Sequence, residues 1–281
     1  MNNYKEKRLL AFFALLFSFL FLLRGNITAS PWDDYAKFMN RFYQLDRQDF
    51  KVITCRIEVP LLEQMVSEAK NKLKPYENQM KVVETIPEFL FTIEKSGKSH
   101  FNKPFFNIDI ISDEGIGNIK KVKSGIKTLK ERVRSIVENV MQIVDAVFEN
   151  YKSPDKSVYE VREISHVGGR TKTVYKKGGL EYVRIYTDNE CIETAADPLE
   201  SAQSRIAYTN MNDKLLYSKA QVDLKLIDKE ISVGLSVNYQ NLGQIIFPDK
   251  IIGIKIINAH EKKESLPINI FLKDCKVFLT E

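Results

Sequence analysis

From Val158 to the C-terminus the chain has β character, and in its clearest strands apolar side chains recur at every second position, a pattern few folds accept. A period of two places successive side chains on opposite faces of a sheet. In residues 216–227, Ala220, Val222, Leu224 and Leu226 share one face, opposite Lys219, Gln221, Asp223 and Lys225. In residues 231–240, Ile231, Val233, Leu235, Val237 and Tyr239 oppose Ser232, Gly234, Ser236, Asn238 and Gln240. Asp228-Lys229-Glu230 joins the two runs. Strands with one dry and one wet face pair antiparallel and must bury the dry face under another layer. Further strands are predicted at 159–164, 171–175, 181–187, 251–257 and 268–279. Gly168-Gly169 and Gly178-Gly179 supply tight turns, and Asp197-Pro198 a loop.

The covering layer is written in helical periods. Over residues 118–150, Ile119, Val122, Ile126, Leu129, Val133, Ile136, Val140, Ile143 and Val147 alternate three and four residues apart, with charged residues on the remaining surface. Gly125 is the one candidate break. Val137, Val144 and Phe148 widen the stripe beyond a strict coiled-coil line, so the seam is expected to pack on the chain's own sheet; a partner helix is the alternative. A second helix is predicted over 31–45, with Trp32, Tyr35, Phe38, Met39, Phe42 and Leu45 on one face, and a third over 61–73. Strands are expected at 50–59, 86–94 and 105–111. The predicted class is α+β: a large curved antiparallel sheet, curling into a half-open β-barrel, covered by helices that include one long one.

Residues 1–29 read as a cleaved export signal. Lys5, Lys7 and Arg8 precede an apolar run at 9–23, and Thr28, Ala29 and Ser30 follow it. That run has the length of a signal core, short of the roughly 20 residues that span a bilayer. The expected mature chain is a single domain, 30–281, in the periplasm. With no later apolar segment of spanning length and no cysteine beside the cleavage point, no stable membrane anchor is expected. The leader carries most of the formal charge of +5, so the mature chain is near neutral and nucleic acid is an unsuitable partner. Cys55, Cys191 and Cys275 read as three small buried side chains; one disulfide, preferably Cys55 to Cys275, is the alternative.

No catalytic residues, metal ligands or cofactor are expected. The three histidines stand apart without ligand spacing, and no nucleophile motif or phosphate loop occurs. Glu190, Glu193, Asp197 and Glu200 read as exposed charge. What remains is an apolar sheet face, and a partly covered apolar face is the usual form of a lipid or small-ligand site.

The C-terminal stretch carries a resemblance. A strand with Ala220-Gln221-Val222 is followed by Val237-Asn238-Tyr239, a turn through Gly243, then Phe247-Pro248-Asp249-Lys250 and an isoleucine-rich strand. Behind an export signal, this resembles the periplasmic lipoprotein carriers of the LolA-like and LolB-like fold, best over residues 180–276. The resemblance implies a cavity for a lipid or lipoprotein acyl chain and no catalysis. Val222, Leu224, Leu226, Val233, Leu235, Val237 and Tyr239 would line it. The longer chain and the long helix depart from a minimal carrier. The competing expectation is an envelope interaction module with a filled core, engaging a protein partner through its heptad helix.

Overall fold

A computed structural model describes residues 30–85, 89–112, 114, 116–117, 119–196, 201–259 and 262–279. The proposed leader, the Asp197-Pro198 loop, Glu200 and His260 lie outside the described residues.

Three helices and fourteen strands are described. Helix α1 (Pro31–Met39) starts with Pro31 in its first turn and Ser30 as its cap: the Asp33 amide donates to Ser30 Oγ at 3.3 Å. Strand β1 (Val52–Glu58) leads into α2 (Pro60–Leu73). Then come β2 (Met80–Thr85), β3 (Leu90–Glu94), β4 (Ser99–Asn102) and β5 (Phe105–Ile110). Helix α3 (Ile119–Glu149) follows, about 46 Å long at ~1.5 Å per residue. It runs unbroken through Gly125. Its ends fall within one residue of the expected bounds, because the apolar seam is continuous.

Nine strands complete the chain: β6 (Glu160–Val167), β7 (Arg170–Lys177), β8 (Leu180–Tyr186), β9 (Glu190–Ala196), β10 (Ser201–Met211), β11 (Lys214–Lys225), β12 (Lys229–Leu242), β13 (Ile245–Ala259) and β14 (Lys262–Phe278). Each pairs antiparallel with the next. Strand β14 then pairs with β1, β1 with β3 and β3 with β4, making one twelve-stranded sheet ordered β4-β3-β1-β14-β13-β12-β11-β10-β9-β8-β7-β6. Strands β2 and β5 form a separate pair. The glycine pairs at 168–169 and 178–179 all have positive φ, as two-residue hairpins require.

The half-open β-barrel is overturned. The sheet is open, with β4 and β6 as its two edges and no pairing between them among the described residues. Its dry face closes on helices instead of on itself. The C-terminal half of α3 buries Val133, Val137, Val140, Val144, Val147 and Phe148. Most of these join Ile53, Ile57, Phe91, Phe247, Ile251, Ile270 and Leu272 in the main core. Each such side chain contributes roughly 1.5–3 kcal/mol.

The N-terminal half of α3 packs on the small sheet instead. Ile119, Val122, Ile126 and Leu129 surround Met80, Ile108 and Ile116. Helix α1 seals the far end of the large sheet, where Phe38 and Phe42 pack on Tyr186 and Cys191. It ends at Met39, earlier than its periodicity implies. Phe42 leaves the helix to bridge Leu215, the Tyr43 amide donates to the Leu215 carbonyl, and Lys214 Nζ donates to the Asn40 carbonyl at 2.7 Å.

Cys55 and Cys275 are joined in a disulfide that ties β1 to β14 across a sequence separation of 220, at the register shift between the two strands. Cys191 is a free, buried thiol. Among the described residues no helix is long and apolar enough to cross a membrane.

Two candidate cavities beside the long helix

The seven strand-face residues do not line one cavity. Val237 is 4% exposed and belongs to the main core. The Tyr239 hydroxyl donates to the Tyr217 carbonyl and pairs with the Tyr151 hydroxyl at the end of α3, a bond network that fixes helix to sheet. Val233 packs along the edge of the core. Leu224 and Leu226 are half-buried near the end of β11. Val222 and Leu235 do face a cavity.

That cavity, about 260 Å³, lies between the last turns of α3 and strands β8 to β12. Strand register gives it two unlike ends. Thr173, Arg184, Glu193 and Ser204 stand directly opposite one another on β7, β8, β9 and β10, and the row continues through Val222 and Val233. It is polar over four strands and apolar over the next two. Arg184, Glu193, Ser204 and Asn150 form the polar end; Ala146, Val147, Ala220, Val222 and Leu235 form the apolar end.

The polar end is tightly wired. Glu193 Oε2 accepts both from the Tyr175 hydroxyl and from Arg184 Nε, and Arg184 Nη1 donates to the Tyr186 hydroxyl at 3.4 Å. The guanidinium lies 5.0 Å from the centroid of the Tyr175 ring, which stacks on Tyr182. The ion-paired side chains are 18% and 20% exposed, so Glu193 is not the exposed charge its sequence context suggests. Burial opposes the charge on Arg184, but the groups around it, Tyr186 and Glu193 with Tyr175 and Tyr35, together outweigh burial and hold its pKa well above the ordinary value. Burial likewise pushes the Tyr186 and Tyr175 hydroxyls upward and the Cys191 thiol up to about 12. Two buried hydroxyl oxygens, Thr173 Oγ1 and Ser204 Oγ, have no hydrogen-bond partner among the described residues.

The second cavity is larger and more open. A groove of about 1,050 Å³ separates α2 from the N-terminal half of α3, with the start of β14 at one side. Leu61, Met65, Leu73, Val122, Ile126 and Leu129 form its apolar walls, and Lys72, Arg132, Glu68 and Glu264 stand among the polar residues that border it. Gly125 also faces the groove, with nothing within 4 Å of where its Cβ would be. The groove exists because α2 and α3, both amphipathic, touch little and leave their stripes partly unpacked. The seam packs within the chain, as the width of its stripe implies: its C-terminal half on the large sheet, its N-terminal half partly on the small one, with Val122, Ile126 and Leu129 also facing the groove.

Neither cavity is evident from apolar periodicity. One signal does mark the polar row. In Tyr182-x-Arg184-x-Tyr186, Cys191-x-Glu193-x-Ala195 and Ala202-x-Ser204-x-Ile206, an inward position carries a polar residue between two inward neighbours that are apolar or aromatic.

The chain matches no family model, and neither a curated protein nor a solved structure matches it. The likeness to lipoprotein carriers gains nothing from these comparisons.

Proposed function

We propose that this protein, exported by the leader at residues 1–29, binds the acyl chain of a lipid in the groove between α2 and α3. The observation that carries this reading is the groove itself: about 1,050 Å³, walled by aliphatic side chains and open to solvent. Sites of roughly 300–1,000 Å³ with mostly apolar linings suit ligands of lipid-fragment size and above. Each methylene moved from water onto Leu61, Met65, Ile126 or Leu129 contributes ~0.8 kcal/mol, so a handful of them holds a chain without polar contacts. Lys72 and Arg132 at the border suit an anionic head, while the aliphatic walls suit the tail. Catalysis has no part in this reading.

Native mass spectrometry after gentle purification is expected to show a retained lipid, and a fluorescent fatty acid is expected to bind saturably at one site per chain. A protein that carries no lipid and ignores the fatty acid would sink the proposal. Export is checked separately, by sequencing the N-terminus of the secreted chain, which is expected to begin at Ser30.

A further inference from the structure

We infer that the smaller cavity is a second, independent site, built for a neutral amphiphile whose head sets a hydrogen-bond donor beside an acceptor and whose tail is a short alkyl chain. A primary fatty amide is the simplest such molecule. The inference goes beyond the acyl-chain groove and does not depend on it.

Charge balance selects the head. Arg184 and Glu193 are opposite charges on facing strand positions, both mostly removed from water. An anion drawn to Arg184 would compete with Glu193 and leave that carboxylate uncompensated. A cation would do the converse to Arg184. Both are costly in a low-dielectric site. A neutral head disturbs neither. Both hydrogen bonds described for Glu193 end on Oε2, so its second oxygen can accept an amide N–H. Ser204 lines the cavity, and its hydroxyl, buried and without a partner among the described residues, can donate to the amide carbonyl after a change of rotamer. A buried hydroxyl without a partner is destabilising and uncommon, and a ligand that satisfies it recovers that loss.

Register and volume select the tail. One strand beyond Ser204 the same row becomes Val222, with Ala220 and Leu235 beside it and Val147 of α3 above. About 260 Å³ falls just below the ~300–1,000 Å³ of drug-sized ligands, which limits the tail to a short one.

The test is calorimetric titration of the full chain with octanamide and with octanoate. Octanamide is expected to bind saturably, and octanoate at least tenfold more weakly. Ser204→Ala is expected to lower octanamide affinity fivefold or more while its Tm equals or exceeds that of the parent, which separates lost recognition from lost folding. Val222→Phe, which fills the apolar end, is expected to abolish octanamide binding and leave fatty-acid binding in the groove unchanged. A flat octanamide titration would overturn the inference. So would equal affinity for octanoate, wild-type affinity in both variants, or displacement of the fatty acid from the groove by octanamide.

Discussion

Arg184 is the residue on which the far end of the sheet depends. It balances Glu193, covers the Tyr175 ring and reaches Tyr186 beneath α1. Arg184→Met keeps the length of the side chain and strands the carboxylate, so a loss of about 3 kcal/mol is expected in urea unfolding, at the low end for a broken buried pair. The buried thiol and phenols set an alkaline limit. Cys191 and Tyr43 are both raised to about 12 by burial, against roughly 8.5 and 10 in an unfolded chain. Both groups keep their proton longer when folded, so their contribution is complete below about pH 8.5 and is lost as pH climbs toward 12. Urea midpoints measured at pH 7, 9 and 10.5 should fall in that order. At this scale the sequence was least legible. Glu193 and Ser204 look like ordinary polar strand residues until register sets them opposite Arg184 and one another.

At the scale of elements, the long helix and most of the meander were legible, but strands β9 and β10 were not predicted, and the first helix was placed too long. The stripe of α3 runs on without interruption, and its ends are where the periodicity stops. Helix α1 shows the limit of such reading. Phe42 keeps helical spacing from Phe38, yet its partner is Leu215, more than 170 residues away, and that bridge cannot be read from local pattern. Gly253 is a second case. It stands opposite Leu235 on the dry face, and a Cβ there would run into the Gly234 carbonyl oxygen and the Leu235 side chain. Strands β12 and β13 would have to move apart locally, so Gly253→Ala is expected to cost about 2–3 kcal/mol, checked by chemical denaturation. An alanine of wild-type stability at 253 would mean that the strands lie less closely than described.

For the whole molecule, the decisive difference from expectation is that the sheet stays open, with the long helix packed on its dry face. The alternating strands specify a dry face; they do not say whether a helix or the opposite edge of the same sheet will cover it. That choice depends on where α3 is delivered, and here its C-terminal half fills the curve while its N-terminal half is carried out to the small sheet. The disulfide reinforces the result, because β1 and β14 are near the two ends of the chain and adjacent in the sheet. A cross-link over this separation restricts the unfolded chain by about 5 kcal/mol at most. Reduction is therefore expected to lower the urea midpoint clearly, and a Cys55→Ala, Cys275→Ala double variant should match the reduced parent and ignore reductant.

The departure of α3 from the large sheet also opens the groove against α2, and the proposed function rests on that opening. Gly125 allows a clean test, because it faces the groove on an exposed turn where a Cβ would meet nothing within 4 Å and most residues favour helix over glycine. Titration of wild-type protein and Gly125→Trp with a fluorescent fatty acid is the most direct measurement. Saturable binding at one site per chain is predicted for the wild type, with affinity at least fivefold lower in Gly125→Trp at undiminished Tm. Absence of saturable binding in the wild type, or equal affinity in the variant, would contradict an acyl-chain site between α2 and α3.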